Sequence, residues 1–224
     1  MRKMFLRTLL ALLGLALSGC GVVNLGVGQL QGSGNVTTEP REVGAFTAID
    51  ISGVGEVVIT QGDTDSLTVE TDDNLQAILL SEVRGDTLYL GMKPNVSLRN
   101  ATRIAFTVTV KDLTQLTLSG AATVSARDLS GDQLTVDHSG VGTVTTVGTV
   151  MEQRVMLSGA GSYDGAALVS DQATIDLSGV GNVVVNVRER LDATVSGLGS
   201  VEYIGSPALQ EHVTGLGTIR QRAP

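Results

Sequence analysis

Three consecutive residues, Asp137-His138-Ser139, have the side-chain types of a hydrolytic triad. Their spacing argues against that chemistry. Neighbours in a strand point to opposite faces, so three in a row cannot converge as orienter, base and nucleophile. The strained Gly-x-Ser-x-Gly turn that exposes a nucleophile is also missing from the sequence. The 2 histidines, His138 and His212, fall at different phases of the repeat described below, so they are not expected to share a metal. His138 stands in a column that other repeats fill with Leu, Ile or Val, and is expected to be a hydrogen-bonded core or rim histidine. Asp50, Asp137 and Asp176 do share a phase, two residues before a repeated Ser. Stacked, they would form an outward column of carboxylates of the kind that calcium bridges. Met156 interrupts that column, and Thr194 and His212 end it. A polysaccharide-acting site needs acidic and basic groups gathered in a groove. The only mixed cluster, Asp86, Lys93, Arg99 and Arg103, falls in a loop region. Tyr89, Tyr163 and Tyr203 are scattered and make no platform for stacking sugars. The reading is therefore non-enzymatic, with no catalytic residues, cofactor or metal expected.

The one cysteine carries a different chemistry. Arg2, Lys3 and Arg7 flank an apolar run from Thr8 to Leu17, followed by Leu17-Ser18-Gly19-Cys20. A basic segment, ten apolar residues and small residues before a Cys are the order of a lipoprotein export signal. The apolar run is too short to span a bilayer. Cleavage before Cys20 would leave its thiol diacylglycerated and its amine free for a further acyl chain, and two or three chains anchor stably where one does not. The expected organisation is a signal peptide over 1–19, a lipidated Cys20 with a tether to residue 31, and a folded domain over 32–224. In a Gram-negative host, Gly21 after the Cys fits sorting to the outer membrane or cell surface rather than retention at the cytoplasmic membrane. Loss of the leader removes three bases and no acid, taking the net charge from -8 to -11. A chain that acidic offers no footprint for nucleic acid and no electrostatic docking on anionic lipid.

The rest of the chain is built to position a regular backbone. With Gly at 28 and aromatics at 3%, the core must come from Val, Leu, Ile, Ala and Thr, which favour strands. A Ser-Gly motif recurs at Ser52-Gly53, Ser119-Gly120, Ser139-Gly140, Ser158-Gly159, Ser178-Gly179, Ser196-Gly197 and Thr214-Gly215. From Ser119 the steps are 20, 19, 20, 18 and 18 residues. Apolar residues one and three before the Ser and five after it give a period of two with one buried face. A unit this short cannot bury its own face, and stacked units bury a continuous column. The fold expected is an all-β, parallel β-helix-like solenoid of about 19-residue coils. An antiparallel sandwich or barrel with Gly-rich hairpins is the competing architecture. The glycines suit corners, where the backbone needs positive φ or close approach. Residues 61–110 break the period. Asp73 and the spacing of Leu75, Ile78, Leu79 and Glu82 predict a short helix over Asn74–Val83, then a turn at Arg84-Gly85-Asp86 and strands over Thr87–Gly91 and Ile104–Val110. This stretch is expected to cap one end of the solenoid.

The opening Gly32-Ser33-Gly34-Asn35-Val36 … Phe46-Thr47-Ala48-Ile49-Asp50-Ile51-Ser52-Gly53-Val54-Gly55-Glu56-Val57, together with the Leu-Ser-Gly-x-Gly ladder, resembles the autotransporter adhesin head (GIN) domain family over about residues 40–220. The resemblance implies a right-handed β-helix-like fold in envelope proteins and brings no catalytic residues. The combined expectation is a lipid-anchored envelope protein presenting an interaction or adhesion module; the alternatives are a polysaccharide-acting enzyme on a β-helix and a purely structural or stress-related envelope protein. Its expected partners are the membrane through Cys20, an envelope protein or polymer, and a second copy of itself.

Overall fold

The computed structural model describes residues 28–222. The export signal and Cys20 lie outside the described residues. Paired backbone begins at Gly28, inside the stretch read as a tether: Gly28–Gln31 lies parallel to Val96–Arg99. The described residues are 73% strand and form a β-solenoid of about 5 turns with coils of about 20 residues.

Long strands make the body. Ala121–His138, Val141–Leu157, Ala160–Leu177 and Val180–Val195 each run along two faces of a coil and pair parallel with the next. Shifts in register, such as that between Ala126 and Leu129, mark where the backbone turns from one face to the other. The motif phase is kept throughout: His138 lies opposite Leu118 and Leu157, and Val183 opposite Tyr163 and Val201. The residues expected to face inward do so in every coil but the last, where Val213 is exposed. Val57, Val124, Val144, Tyr163, Val183 and Val201 fill one buried column, and Ile49, Leu116, Val136, Val155, Ile175 and Ala193 another.

Residues 62–113 depart from sequence order. Thr87–Met92 runs parallel to Ala48–Ile51, and Ile104–Val110 runs parallel to Val54–Gln61. These segments form a coil beneath the first one, although they follow it in the chain. The backbone then returns to stack Gln115–Leu118 on the other side of Ala48–Ile51. The lower end is closed by antiparallel strands: Ser66–Asp72 against Ile104–Val110, Val36–Arg41 outside it, and Leu79–Arg84 against Thr87–Met92. Antiparallel closure ends the parallel stack and covers its edge, as a cap should.

The helix expected over Asn74–Val83 is not formed. Only Asp73–Leu75 is helical, as a single 3-10 turn. Leu79–Arg84 is a strand, joined to Thr87–Met92 through Gly85 at φ 65°. Leu79, Ser81 and Val83 also alternate, and pairing with Thr87–Met92 selects that period. Asp73 instead receives hydrogen bonds from Ser33 Oγ at 2.5 Å and Asn35 Nδ2 at 2.9 Å, tying the N-terminal strand to the turn. Asp72 is buried beside it and accepts from Gly34 N, Thr102 N and Thr102 Oγ1 at 2.7–2.8 Å. These donors, led by the Thr102 amide, hold its carboxyl below the usual carboxylate range.

One polar chain crosses the apolar interior. Thr146 Oγ1 donates to the Tyr163 hydroxyl (2.8 Å), which donates to Gln153 Oε1 (3.2 Å). Gln153 Nε2 donates to Ser170 Oγ (2.7 Å), which donates to the Asn186 carbonyl (3.3 Å). The Tyr163 and Ser170 hydroxyls each accept one bond and donate another, and Thr146 donates, so every polar group of this fully buried chain has a partner. Burial pushes the Tyr163 phenol well above its usual range, which keeps it a neutral donor.

Candidate functional site

The repeated Ser-Gly-x-Gly segment forms the same corner in successive coils, and its geometry follows from the backbone. The amides of Ser158 and Gly159 both donate to the His138 carbonyl at 3.1 Å. Ser178 and Gly179 do the same to Leu157, and Ser196 and Gly197 to Leu177. Two successive amides can reach one carbonyl only where the chain bends sharply. The bend lays each motif glycine on the coil below. A Cβ at Gly159 would meet the Gly140 carbonyl and the Ser139 backbone closer than any real Cβ contact. Gly120, Gly140, Gly179, Gly197 and Gly215 are held in the same way. Close approach, not positive φ, is what fixes this glycine. At the second glycine of the motif, Gly142 meets both demands, with φ 136° and the Ala122 carbonyl against its missing Cβ.

The corner therefore presents a fixed set of side chains. The motif hydroxyls from Ser52 to Thr214 are exposed. Two residues on is a column that lies outside the core phase: Val54, Ala121, Val141, Ala160, Val180, Leu198 and Leu216. It is apolar and exposed, with Val141 at 58%, Val180 at 55%, Leu198 at 51% and Leu216 at 86%. Two residues further comes a small polar column running from Thr123 through Thr143, Ser162, Asn182 and Ser200 to Thr218. Within it Thr143 bonds Ser162 at 3.1 Å, and Ser200 donates to Asn182 at 2.9 Å. Sequence reasoning placed the Ser and Gly of the motif and missed this aliphatic column. Its signal was present, as an invariably aliphatic residue between two small ones, out of step with the buried alternation.

The residues weighed for chemistry are not brought together. Asp137 and Ser139 point outward while His138 is completely buried between them. The expectation that His138 would be hydrogen-bonded is corrected, because neither ring nitrogen has a partner. It stands in a column otherwise filled by Leu118, Leu157, Leu177 and Val195. Burial lowers its affinity for a proton, and the neighbouring Asp137 charge only partly offsets this. The folded chain therefore binds the proton less well than the unfolded chain, so stability falls as pH drops through 6.5. His138→Leu is expected to raise the unfolding free energy by about 1–2 kcal/mol at neutral pH, with a larger gain at pH 5. Urea titrations at the two pH values measure both gains; a destabilised variant would contradict the assignment.

The aspartate column is broken more often than expected. Thr117 sits between Asp50 and Asp137, and Met156 between Asp137 and Asp176. Adjacent carboxylates are two coils, or about 9.6 Å, apart, beyond the reach of one ion with oxygen ligands at about 2.3–2.6 Å. Burial lifts the Asp50 carboxyl above its usual range. Among the described residues no three His, Cys, Asp or Glu gather as a metal site. His212 lies at the exposed last rung, opposite Thr194 and away from His138. Arg103 pairs with Glu70 at 2.9 Å and Glu56 at 3.4 Å rather than with Asp86, Lys93 or Arg99. No helix among the described residues is long and apolar enough to cross a membrane.

Residues 45–207 match the family described as "Putative auto-transporter adhesin, head GIN domain". No curated protein matches the sequence. Among solved structures, a putative adhesin of Bacteroides fragilis is similar at 25% identity and TM-score 0.70, covering 86% of this chain and 100% of that one. Putative adhesins of Parabacteroides distasonis and Parabacteroides merdae are similar in fold, at 21% identity each and TM-scores of 0.55 and 0.53. Each comparison covers 87% of this chain, with 100% of the first protein and 99% of the second.

Proposed function

The chain belongs to the auto-transporter adhesin head GIN domain family, and from that membership we propose that it is a lipid-anchored, non-catalytic protein of the cell envelope whose solenoid is an adhesion module. The observation that carries the adhesive part is the exposed Ser-Gly-x-Gly corner, a rigid and regular surface that the core does not need. A coil requires only its inward columns to stack. The outward aliphatic column costs solubility and makes physical sense as a contact surface.

Anchoring rests on Cys20 and the order of charge, apolar run and small residues before it. Residues 1–19 are the removed signal, and acyl chains on Cys20 hold the head outside the cytoplasm, at the outer membrane or cell surface of a two-membrane host. The experiment is metabolic labelling with a fatty-acid probe in cells expressing the full chain. Wild type takes up label, and Cys20→Ala drops to background while the protein is still made. Equal labelling of the two overturns the anchor. The adhesive role is tested by binding of expressing cells to abiotic and cellular surfaces, which falls when the corner residues are replaced.

A further inference from the structure

Across the coils that begin at Ser119, the five columns from the motif Ser to the Thr/Ser column contain only Gly, Ala, Val, Leu, Ser, Thr and Asn. No charged or aromatic residue interrupts them, in a protein of net charge -8. Surfaces that carry the surplus acids repel their counterparts on a second copy; this band carries no charge. Its relief is also self-complementary. From Val54 through Ala121, Val141 and Ala160 to Val180 large and small residues alternate along the axis, and Leu198 and Leu216 extend the ridge with two further large ones. A parallel two-fold pair would set Val on Val. An antiparallel two-fold pair centred between Val141 and Ala160 can set Val141 over Ala160 and Val180 over Ala121, and the rows of glycine on either side, broken only at Ala122 in these coils, let the ridges approach closely.

The other route to self-association is guarded. At the last rung, Ala208–Val213 is exposed along its whole length. There Glu211 occupies the column held inside by Ala193, Ile175 and Val155. An inward-pointing charge on an edge strand blocks end-to-end stacking.

We infer that the charge-free corner band is a homophilic contact surface, whose partner is the same band on a second, antiparallel copy. This rests on the adhesion reading above and supplies its partner. Antiparallel pairing sends the two N-terminal anchors in opposite directions, as a contact between facing surfaces requires. The band is about 25 Å long and about 13 Å wide on strand spacings, so each copy buries about 300 Å². That is well under the roughly 800 Å² per partner of a stable complex. The pairing is weak in solution and strong only between arrays of anchored copies.

The test reconstitutes the full chain in phosphatidylcholine vesicles and follows clustering by light scattering, with dye-labelled empty vesicles mixed in. Loaded vesicles are expected to cluster and to leave empty ones out. Val180→Asp and Leu198→Asp should each reduce clustering at least tenfold with unchanged thermal unfolding, because both sites are exposed. Recruitment of empty vesicles would make the partner a lipid surface and overturn the inference; so would undiminished clustering by the folded Asp variants. Chain that does not float with vesicles counts against the anchor instead. Sedimentation of the same detergent-solubilised chain at rising concentration then decides. A dimer that Val180→Asp abolishes supports homophilic pairing, and a monomer throughout overturns it.

Discussion

Gly159→Ala is expected to lower the stability of the folded chain by about 3 kcal/mol, a large effect for the addition of one methyl group. The methyl would enter the space held by the Gly140 carbonyl and the Ser139 backbone. Neither is the movable end of a side chain. Relief would require the coils to separate locally, which breaks the amide pair from Ser158 and Gly159 to the His138 carbonyl. Gly142→Ala should cost at least as much, since its φ of 136° is one that L residues rarely adopt. Gly44→Ala is the control. Nothing lies within 4 Å of its missing Cβ, and the change should be neutral or slightly stabilising through the unfolded chain. Denaturant unfolding of the three variants measures the contrast. Equal effects at Gly44 and Gly159 would mean that the coils are not in the close contact described.

The second large effect lies inside. Gln153→Leu keeps the volume of the side chain, yet it removes an acceptor from Tyr163 and a donor from Ser170 in a fully buried setting. The expected loss is about 2–3 kcal/mol. Tyr163→Phe alone should cost about 1–2 kcal/mol. Combined, the two should cost less than their sum, because the second change removes a group already orphaned by the first. A double-mutant cycle reads this coupling. Strict additivity would show that the four side chains do not act as one chain. Gln153 lies opposite Leu134 and Ala173 in an apolar column, so its place in the core is a choice of specificity over simple burial.

The body of the solenoid was legible because each coil repeats one local solution. The apolar positions around each Ser recur at a fixed phase, and parallel stacking brings equal phases together. Ile175, Leu177 and Val183 could be placed inside from spacing alone. The lower end was not legible in the same way. Nothing local in Thr87–Met92 says that it will lie beneath Ala48–Ile51, since that pairing joins residues about forty apart in the chain. The segment from Leu75 to Val83 satisfies both a helical and an alternating pattern, and a run that short is decided by its partner. His138 and Gln153 illustrate a further limit. Their columns are clear from sequence, but whether their polar atoms find partners depends on neighbours in adjacent coils. The aliphatic corner residues were hidden for the opposite reason: apolar residues are read as core by default, and these seven lie on the surface.

The stacking of the motif is the claim on which the corner, its glycines and its contact surface all depend. Pulsed electron spin measurements on the Cys20→Ala chain, with one label at Ser119 and a second at Ser178, Ser196 or Thr214, test it directly. All four sites are exposed. Coils in register place the backbones of these pairs about 14, 19 and 24 Å apart, rising by about 4.8 Å for each coil crossed. Distances that fail to increase with coil number, or that scatter without a common step, would contradict the solenoid and the surface built on it.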